Sequence, residues 1–241
     1  IADGLKGSDE ALISLEGTEY VKEAKIGRAL ADADVIISLA HFKGHESTGF
    51  GGALKNLGMG GGSRAGKMEQ HNWGKVEVDQ DLCIGCGACK RICANDGPQI
   101  ENHTCHLNQD NCVGCGRCIA VCPKDAISNP HSNTNDVLQC KIAEYTKAVV
   151  QGKDAFYINL VIDVSPNCDC HAENDLAFVP DIGFFASFDP VALDRACCDA
   201  VNHAPLVPTS PVGKARYVGD NLTTNHPDLN WHVGLDHAEK I

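Results

Sequence analysis

Residues 155–164 read AFYINLVIDV, a run of apolar and β-branched side chains that predicts a buried β-strand. Two shorter runs of the same kind, DVIISLA at 34–40 and DIGFFAS at 181–187, lie before and after it along the chain. Strands that alternate with helical patterns are typical of an α/β protein. We therefore expect an α/β body built on a doubly wound, mostly parallel sheet.

Three stretches predict helices around these strands. They are TEYVKEAKIGRALADA at 18–33, NDVLQCKIAEYTKAVVQ at 135–151 and VALDRACCDAV at 191–201. Thr18 and Asp189 are suitable N-cap residues for the first and third, and Pro190 suits the first helical position. Cys197 lies on an apolar face of the third helix, which indicates a core thiol.

The composition excludes some classes of protein. The 241 residues carry a formal net charge of −12, so no basic footprint for nucleic acid is visible. No apolar run reaches the roughly 18 residues that a membrane helix needs, and no basic–apolar leader opens the chain. We expect a soluble, cytoplasmic protein without nucleic-acid or membrane partners. Because the chain opens at Ile1 with sequence typical of the middle of a domain, we also expect a piece of a longer protein.

Positive charge is concentrated in residues 41–75, which carry +3. Five cations stand against Glu46 and Glu69: Lys43, Lys55, Arg64, Lys67 and Lys75. Either this is a solvated face, or Lys43 and Lys55 help to form a pocket for a small anion. The glycine-rich part of the segment ends in GGSRAGKM, but Met68 replaces the Ser or Thr of a phosphate loop. Flexible backbone near a ligand or an inserted module is the better interpretation.

Two runs carry a metal-cluster spacing, C-x2-C-x2-C-x3-C: CIGCGACKRIC at 83–93 and CVGCGRCIAVCP at 112–123. They resemble the motifs of bacterial-type two-cluster ferredoxins, in which the fourth cysteine of each run ligates the other cluster. The resemblance implies two [4Fe-4S] clusters, the first held by Cys83, Cys86, Cys89 and Cys122 and the second by Cys112, Cys115, Cys118 and Cys93. Zinc sites usually show two separated cysteine pairs instead.

The ferredoxin resemblance departs from the usual pattern at two points. Ala94 follows Cys93 where proline is usual, and the additional Cys105, which we interpret as an ordinary thiol, lies between the runs. Because thiolate ligands must be reduced, the fourteen cysteines indicate a reducing, oxygen-poor compartment. We expect an inserted α+β ferredoxin-like domain at 73–129 and an α/β body at 1–72 and 130–241, incomplete at its N-terminus.

Two further thiols occur in SPNCDCHAEND at 165–175. Cys168 and Cys170 are open to three interpretations. They could form a short, strained disulfide, they could be two inert buried thiols, or they could bind a metal or a third cluster. In the third case we expect them to face His41 or His45 across a crevice, since soft thiolates with imidazole suit zinc, iron or nickel.

The body is similar to an uncharacterised iron–sulfur family, domain of unknown function 362. The similarity rests on residues 41–60, on NCDC at 167–170 and on residues 181–199. Members often carry a two-cluster insertion at this place and normally extend further on the N-terminal side. The family pattern falls here on His41, Lys43, His45, Lys55, Asn56, Cys168, Cys170, Ser187 and Asp189. Its function is not established, so the resemblance implies a fold and clusters but no reaction.

The residues together indicate an iron–sulfur electron-transfer protein. We expect an oxidoreductase in which low-potential electrons reach a substrate or metal in the crevice where three parallel strands end. The candidate catalytic residues are His41, His45, Lys55 and Asp189. The alternative is a non-catalytic carrier or docking subunit of a larger redox complex, and cluster or metal trafficking is a third. A redox partner protein or a small anionic substrate is expected, and homo-oligomerisation is left open.

Overall fold

The structure is a computed structural model that describes residues 1–72, 75–129 and 134–241. Its strands are β1 Glu10–Ser14, β2 Glu23–Gly27, β3 Val35–His41, β4 Lys43–His45, β5 Gly49–Gly51, β6 Glu77–Val78, β7 Pro98–Glu101, β8 Thr104–Leu107, β9 Ile127–Ser128, β10 Asp154–Val161 and β11 Gly183–Ser187. Its helices are α1 Arg28–Ala31, α2 Ala53–Gly61, α3 Arg64–His71, α4 Ala88–Ile92, α5 Arg117–Ala120, α6 Asn135–Val150, α7 Pro190–His203, α8 Pro211–Lys214, α9 Asn221–Asn225 and α10 His232–Ala238. Within those ranges, none of the helices is both long and apolar enough to cross a membrane.

The chain divides into two compact units. A cysteine-rich unit contains Ile1–Ile13, Glu23–Asp32 and Gly62–Thr134, and an α/β unit contains Ser14–Lys22, Ala33–Gly61 and Asn135–Ile241. Two N-terminal segments and α3 therefore group with the cysteine motifs. The domain boundaries predicted at residues 73 and 130 lie outside the described residues.

The sheet of the α/β unit has three strands in the order β11-β10-β3. β3 runs parallel to β10, with Leu160 opposite His41, but β11 runs antiparallel, with Tyr157 opposite Ser187. The α/β class is confirmed, whereas the doubly wound, mostly parallel sheet is not what the described residues form. An apolar run pairs in either direction, and β11 follows β10 without the crossover helix that a parallel pair requires.

One face of this sheet packs against helices and the other is exposed. Ser38, Tyr157 and Asn159 point into the unit and are buried. On the opposite face Ile37 is 70% exposed and Phe184 is 72% exposed. The alternation of buried and exposed positions along β3 is the period-2 pattern of a strand with one covered face.

Two predicted helices are confirmed. α6 buries most of its length, including Tyr145 and Val149, in the core of the α/β unit. α7 begins at Pro190, and the Asp189 carboxylate accepts the backbone N–H groups of Val191 and Ala192 as its N-cap. α7 combines an apolar stripe with a capping residue and a proline at its start, so its type follows from local sequence.

The helix predicted at 18–33 is wrong. Residues Glu23–Gly27 form β2, which pairs with β1, and only the turn α1 is helical. Ala24 and Ile26 are fully buried while Glu23 is exposed, so this part of the sequence follows a strand period. Burial of these two side chains on a paired strand outweighs the helical propensity of the segment.

The glycine-rich segment is not the flexible backbone that its composition indicates, because it forms α2 and α3. Gly58 allows α2 to pack closely on α6: a Cβ there would lie 2.2 Å from the carbonyl oxygen of Ile142. α3 begins at the N-cap Ser63, whose Oγ accepts the backbone N–H of Gly66 and donates to Glu10. Close helix packing and a cap thus explain residues that resemble a loop in the sequence.

Candidate functional site

In the α/β unit, two of the three predicted strand ends lie at one edge of the sheet. β3 ends at His41 opposite Leu160 of β10, which continues into the loop that carries Cys168 and Cys170. Since β11 is antiparallel, Ser187 and Asp189 lie at the opposite edge. The expected convergence of three strand ends is therefore wrong for the third. Asp189 acts there as a helix cap, and Ser187 Oγ accepts the backbone N–H of Asp189 over 3.0 Å.

The thiols of Cys168 and Cys170 lie together, and both are free. Cys168 is buried and Cys170 is exposed, so they are not a pair of core thiols. The Lys55 ammonium donates to Cys168 Sγ over 3.3 Å. Burial opposes ionisation, but the backbone N–H of Cys170 and the charge of Lys55 lower the pKa of the Cys168 thiol. Burial and the hydrogen bond with Cys168 raise the pKa of Cys170. Cys168 is therefore the more easily ionised of the two thiols.

His45 belongs to the same group. One of its ring nitrogens and the two sulfur atoms lie within 4.8 Å of one another, and its side chain is buried. The backbone N–H of Ser47 donates to His45 Nδ1 over 2.9 Å, so a neutral ring carries its proton on Nε2. Burial, followed by the charge of Lys55, lowers the pKa of His45 to about 3. In this tautomer Nε2–H can donate a hydrogen bond, whereas binding of a soft metal through Nε2 requires the proton to move to Nδ1 and the contact with Ser47 to be lost.

His41 lies outside this group. Its Nδ1 is 2.9 Å from Asp169 Oδ2 and its Nε2 is 2.9 Å from the carbonyl oxygen of Ile162. Each ring nitrogen thus faces an oxygen, and neither directs a lone pair at the thiols. Asp169 also accepts from Lys43 over 3.2 Å. Burial opposes ionisation of Asp169, but His41 and Lys43 lower its pKa. Of the two predicted histidines, the structure brings only His45 to the cysteines.

Glu46 and His171 form a second group of ligand types that shares Cys170. His171 Nε2 lies 2.6 Å from Glu46 Oε1, whereas Glu46 Oε2 is buried without a hydrogen-bond partner among the described residues. Glu46, which directly follows His45, was not among the predicted site residues. Metal binding at Cys168, Cys170 and His45 stays a prediction.

A buried carboxylate positions the lysine of the site. Asp194 of α7 accepts the backbone N–H groups of Ala53 and Leu54, at 2.8 and 2.9 Å, and so caps the start of α2, which carries Lys55. Asn159 also donates to it over 2.7 Å. Burial raises the pKa of Asp194 to about 6. Sequence reasoning missed this residue. The available signal was an acid at the spacing of the apolar positions of α7.

Lys43 and Lys55 run side by side. A Cβ at Gly51 would lie 3.2 Å from Lys55 Cδ and 3.4 Å from Lys43 Cε. Both lysine side chains therefore pack closely against this glycine. Lys55 also lines a cavity whose walls are mostly apolar, with Phe50, Leu54 and Ile142 among them. Asn56, the next residue of α2, donates to Ser38 of β3 over 3.1 Å and ties the helix to the sheet.

The remaining cations of the basic segment belong to the cysteine-rich unit. Arg64 donates to the carbonyl oxygen of Cys115 over 3.0 Å, and Lys75 donates to that of Cys112 over 2.8 Å. They stabilise loop carbonyls there. Any anion pocket built from residues 41–75 therefore depends on Lys43 and Lys55.

The eight motif cysteines fall into two sets in the cysteine-rich unit. One cavity is lined by Cys83, Cys86, Cys89 and Cys122, and another by Cys93, Cys112, Cys115 and Cys118. Each set combines three thiols of one run with the last thiol of the other, which is the crossed grouping predicted from the motifs. The binding of clusters by these sets stays a prediction.

The backbone around the two cavities suits thiolate ligands. Gly85, Gly87, Gly114 and Gly116 all have positive φ, between 60° and 74°. A Cβ at Gly85 would lie 2.3 Å from the carbonyl oxygen of His103. Backbone N–H groups of Cys105, Asn95 and Ala126 point at the sulfur atoms of Cys83, Cys93 and Cys122, at 3.3–3.5 Å. Such N–H···S contacts are the usual surroundings of cluster ligands.

The model of a family described as "Domain of unknown function (DUF362)" matches residues 1–199. The three stretches on which the resemblance was based, at 41–60, 167–170 and 181–199, all lie within the matched range. A comparison with curated proteins gave no match. The family description names no cofactor and no reaction.

Proposed function

Because this chain belongs to the family described as "Domain of unknown function (DUF362)", we propose its function from the two sites themselves. It is an iron–sulfur electron-transfer protein of the cytoplasm. It is a redox enzyme that uses low-potential electrons to reduce a small anionic substrate at Lys55, Cys168, Cys170 and His45. Its partners are a redox protein that supplies electrons and that anion.

The two sets of four thiols are the observation that supports the proposal most strongly. Four motif thiols around each cavity, with N–H groups directed at the ligands, fit a [4Fe-4S] cluster. Cys83, Cys86, Cys89 and Cys122 would hold the first cluster, and Cys93, Cys112, Cys115 and Cys118 the second. When bound, the clusters supply single electrons at low potential.

In the α/β unit, the residues have separate roles. Lys55, with Lys43 beside it, receives the negative charge of the substrate, and the mostly apolar cavity at Lys55 receives its uncharged part. Cys168 presents the more easily ionised thiol next to Lys55. His45 carries an N–H on Nε2 beside the two sulfur atoms, and from there it can donate a hydrogen bond to the bound substrate. The donor set of Cys168, Cys170 and His45 also fits a soft metal ion, and the same three residues would hold it.

The alternative is a carrier or docking subunit without an active site. The exposed face of the three-stranded sheet favours it, since Ile37, Leu39, Phe184 and Phe188 are all more than 60% exposed. Exposed apolar patches of this kind mark protein–protein contacts. The polar site around Lys55 favours the enzyme, because a carrier needs no such residues.

The first experiment is iron and sulfide analysis of anaerobically purified protein. About eight of each per chain is expected from two cubanes, and about half of that would contradict the proposal. Cys122→Ala should remove the cluster signal of the Cys83–Cys89 triplet, and Cys93→Ala that of the Cys112–Cys118 triplet. If Cys122→Ala instead removed only the cluster of the Cys112–Cys118 triplet, and Cys93→Ala only that of the Cys83–Cys89 triplet, the ligation would not be crossed.

The second experiment separates enzyme from carrier. Clusters are reduced with dithionite, and the excess reductant and its sulfite are removed by anaerobic gel filtration. The protein is then mixed with nitrite or sulfite, and reoxidation of the clusters is followed optically. The enzyme proposal expects one of these oxyanions to accelerate reoxidation in the wild type and expects Lys55→Met to remove the acceleration. Equal rates in both proteins support the carrier. Metal analysis of the Cys168→Ser, Cys170→Ser double variant tests the metal site, which requires a loss of non-cluster metal.

A further inference from the structure

Cys105 is the thiol of the cysteine-rich unit that belongs to neither motif. It lies on β8 and is buried, with 1% of its surface exposed. Cys89 Sγ donates to Cys105 Sγ over 3.6 Å, and the backbone N–H of Cys105 donates to Cys83 Sγ over 3.3 Å. A Cys89 thiolate that held a cluster would have no proton, so the Cys105 S–H would then be the donor of this contact. Cys105 therefore contacts two of the four thiols of the first set. These contacts place Cys105 directly beside the predicted cluster ligands, unlike an ordinary core thiol.

The two cavities differ at this position. Cys105 and Leu107 are two residues apart on β8, so their side chains lie on the same face of the strand. Cys105 lines the cavity of the first set, whereas Leu107 lines the cavity of the second. Among the described residues that line the second cavity, the four motif cysteines are the only thiols. One cluster would thus have a neighbouring S–H donor where the other has a hydrocarbon.

A donor near a cluster ligand favours the reduced state. Reduction adds one negative charge to the cluster and its thiolates, and a hydrogen bond to a ligand sulfur stabilises that charge. The contact is buried, where water does not screen it. Loss of such a donor therefore lowers the reduction potential of the cluster that it serves.

We propose that Cys105 raises the reduction potential of the cluster held by Cys83, Cys86, Cys89 and Cys122 above that of the second cluster. The inference rests on the proposed clusters. Cys105 acts through Cys89 as a positioning residue and is not a ligand. The asymmetry makes the first cluster the preferred resting place of an electron within this unit.

The test is a redox titration of anaerobic holoprotein, with the two clusters distinguished by the paramagnetically shifted NMR signals of their cysteine β-protons. Cys105→Val removes the S–H donor and keeps the backbone N–H. We expect it to weaken reduction of the first cluster about tenfold, which is 59 mV for a one-electron couple. The second cluster should not change. Cys105→Ser keeps a donor and should restore most of the difference, and Cys140→Ser, at a buried thiol of the α/β unit, should change neither potential.

The outcomes are distinguishable from those of the proposed function. If wild-type protein held no clusters, the proposed function itself would fail. If both clusters assembled and Cys105→Val left their potentials unchanged, or shifted both equally, only this inference would be overturned. Cys105→Ala is the second non-donor variant should valine disturb the packing. A first cluster that failed to assemble in both variants would also overturn the inference, because Cys105 would then be needed for assembly.

Discussion

Lys55→Met tests the contact on which the α/β site depends. Methionine keeps an unbranched side chain of similar length on α2 and removes the ammonium group that lies 3.3 Å from Cys168 Sγ. Since Lys55 favours the thiolate form of Cys168, its loss should leave a smaller thiolate fraction at neutral pH. The thiolate is the form that alkylating reagents attack. The substitution should therefore slow alkylation of Cys168.

Two opposing effects determine the size of the change. A hydrogen bond to a charged group contributes about 1.5–3 kcal/mol, so the thiolate fraction should fall roughly ten- to hundredfold. A more basic thiolate is also a better nucleophile, and with a Brønsted coefficient of about 0.5 this recovers roughly half of the loss on a logarithmic scale. The net expectation is alkylation about four to ten times slower at pH 7.

Peptide-resolved mass spectrometry after timed treatment with iodoacetamide gives the rate at Cys168 separately from the other thiols. Labile metal is first removed with a chelator under anaerobic conditions. Lys43→Met is the matched control, since its ammonium contacts Asp169 and the carbonyl oxygen of His41 and not Cys168. An unchanged rate in Lys55→Met, or an equal decrease in Lys43→Met, would refute the assignment of Lys55 as the partner of Cys168.

Two further predictions concern stability. Gly58→Ala should destabilise the α/β unit by about 1–3 kcal/mol, because the added methyl group meets the carbonyl oxygen of Ile142. Gly60→Ala is the control, because a Cβ there meets no atom within 4 Å, and it should stabilise the α/β unit by about 0.5–1 kcal/mol. Equal melting temperatures of the two variants would contradict the close packing of α2 on α6. Burial raises the pKa of Asp194 to about 6, above the roughly 3.9 of an unfolded chain. Its contribution to stability is then complete below about pH 4 and lost as the pH rises through about 6. Between pH 5 and pH 7 the free energy of unfolding of the wild type should fall by about 1 kcal/mol relative to that of Asp194→Asn. Native-state hydrogen exchange measures this difference. A rise in the relative stability of the wild type would show that the pKa of Asp194 is not raised.

Local sequence was sufficient where neighbours along the chain make the structure. The C-x2-C-x2-C runs place three thiols around a cavity through covalent spacing and left-handed glycines such as Gly85. Asp189 and Pro190 begin α7, because a cap and a fixed φ act within one turn. Residues 155–164 contain all of the central strand except its first residue, Asp154, since a long apolar, β-branched run has few other ways to be buried.

Tertiary structure decided which distant residues meet. The sequence left His41 and His45 equivalent, and the fold turns His41 to Asp169 and places His45 beside the cysteines. The direction of β11 moved Asp189 to the other edge of the sheet. Neither result is encoded in periodicity, because strand pairing and loop contacts depend on long-range packing, in which either direction buries the same apolar side chains. For the same reason, Cys105 remained an extra thiol in the sequence until β8 placed it 3.6 Å from Cys89.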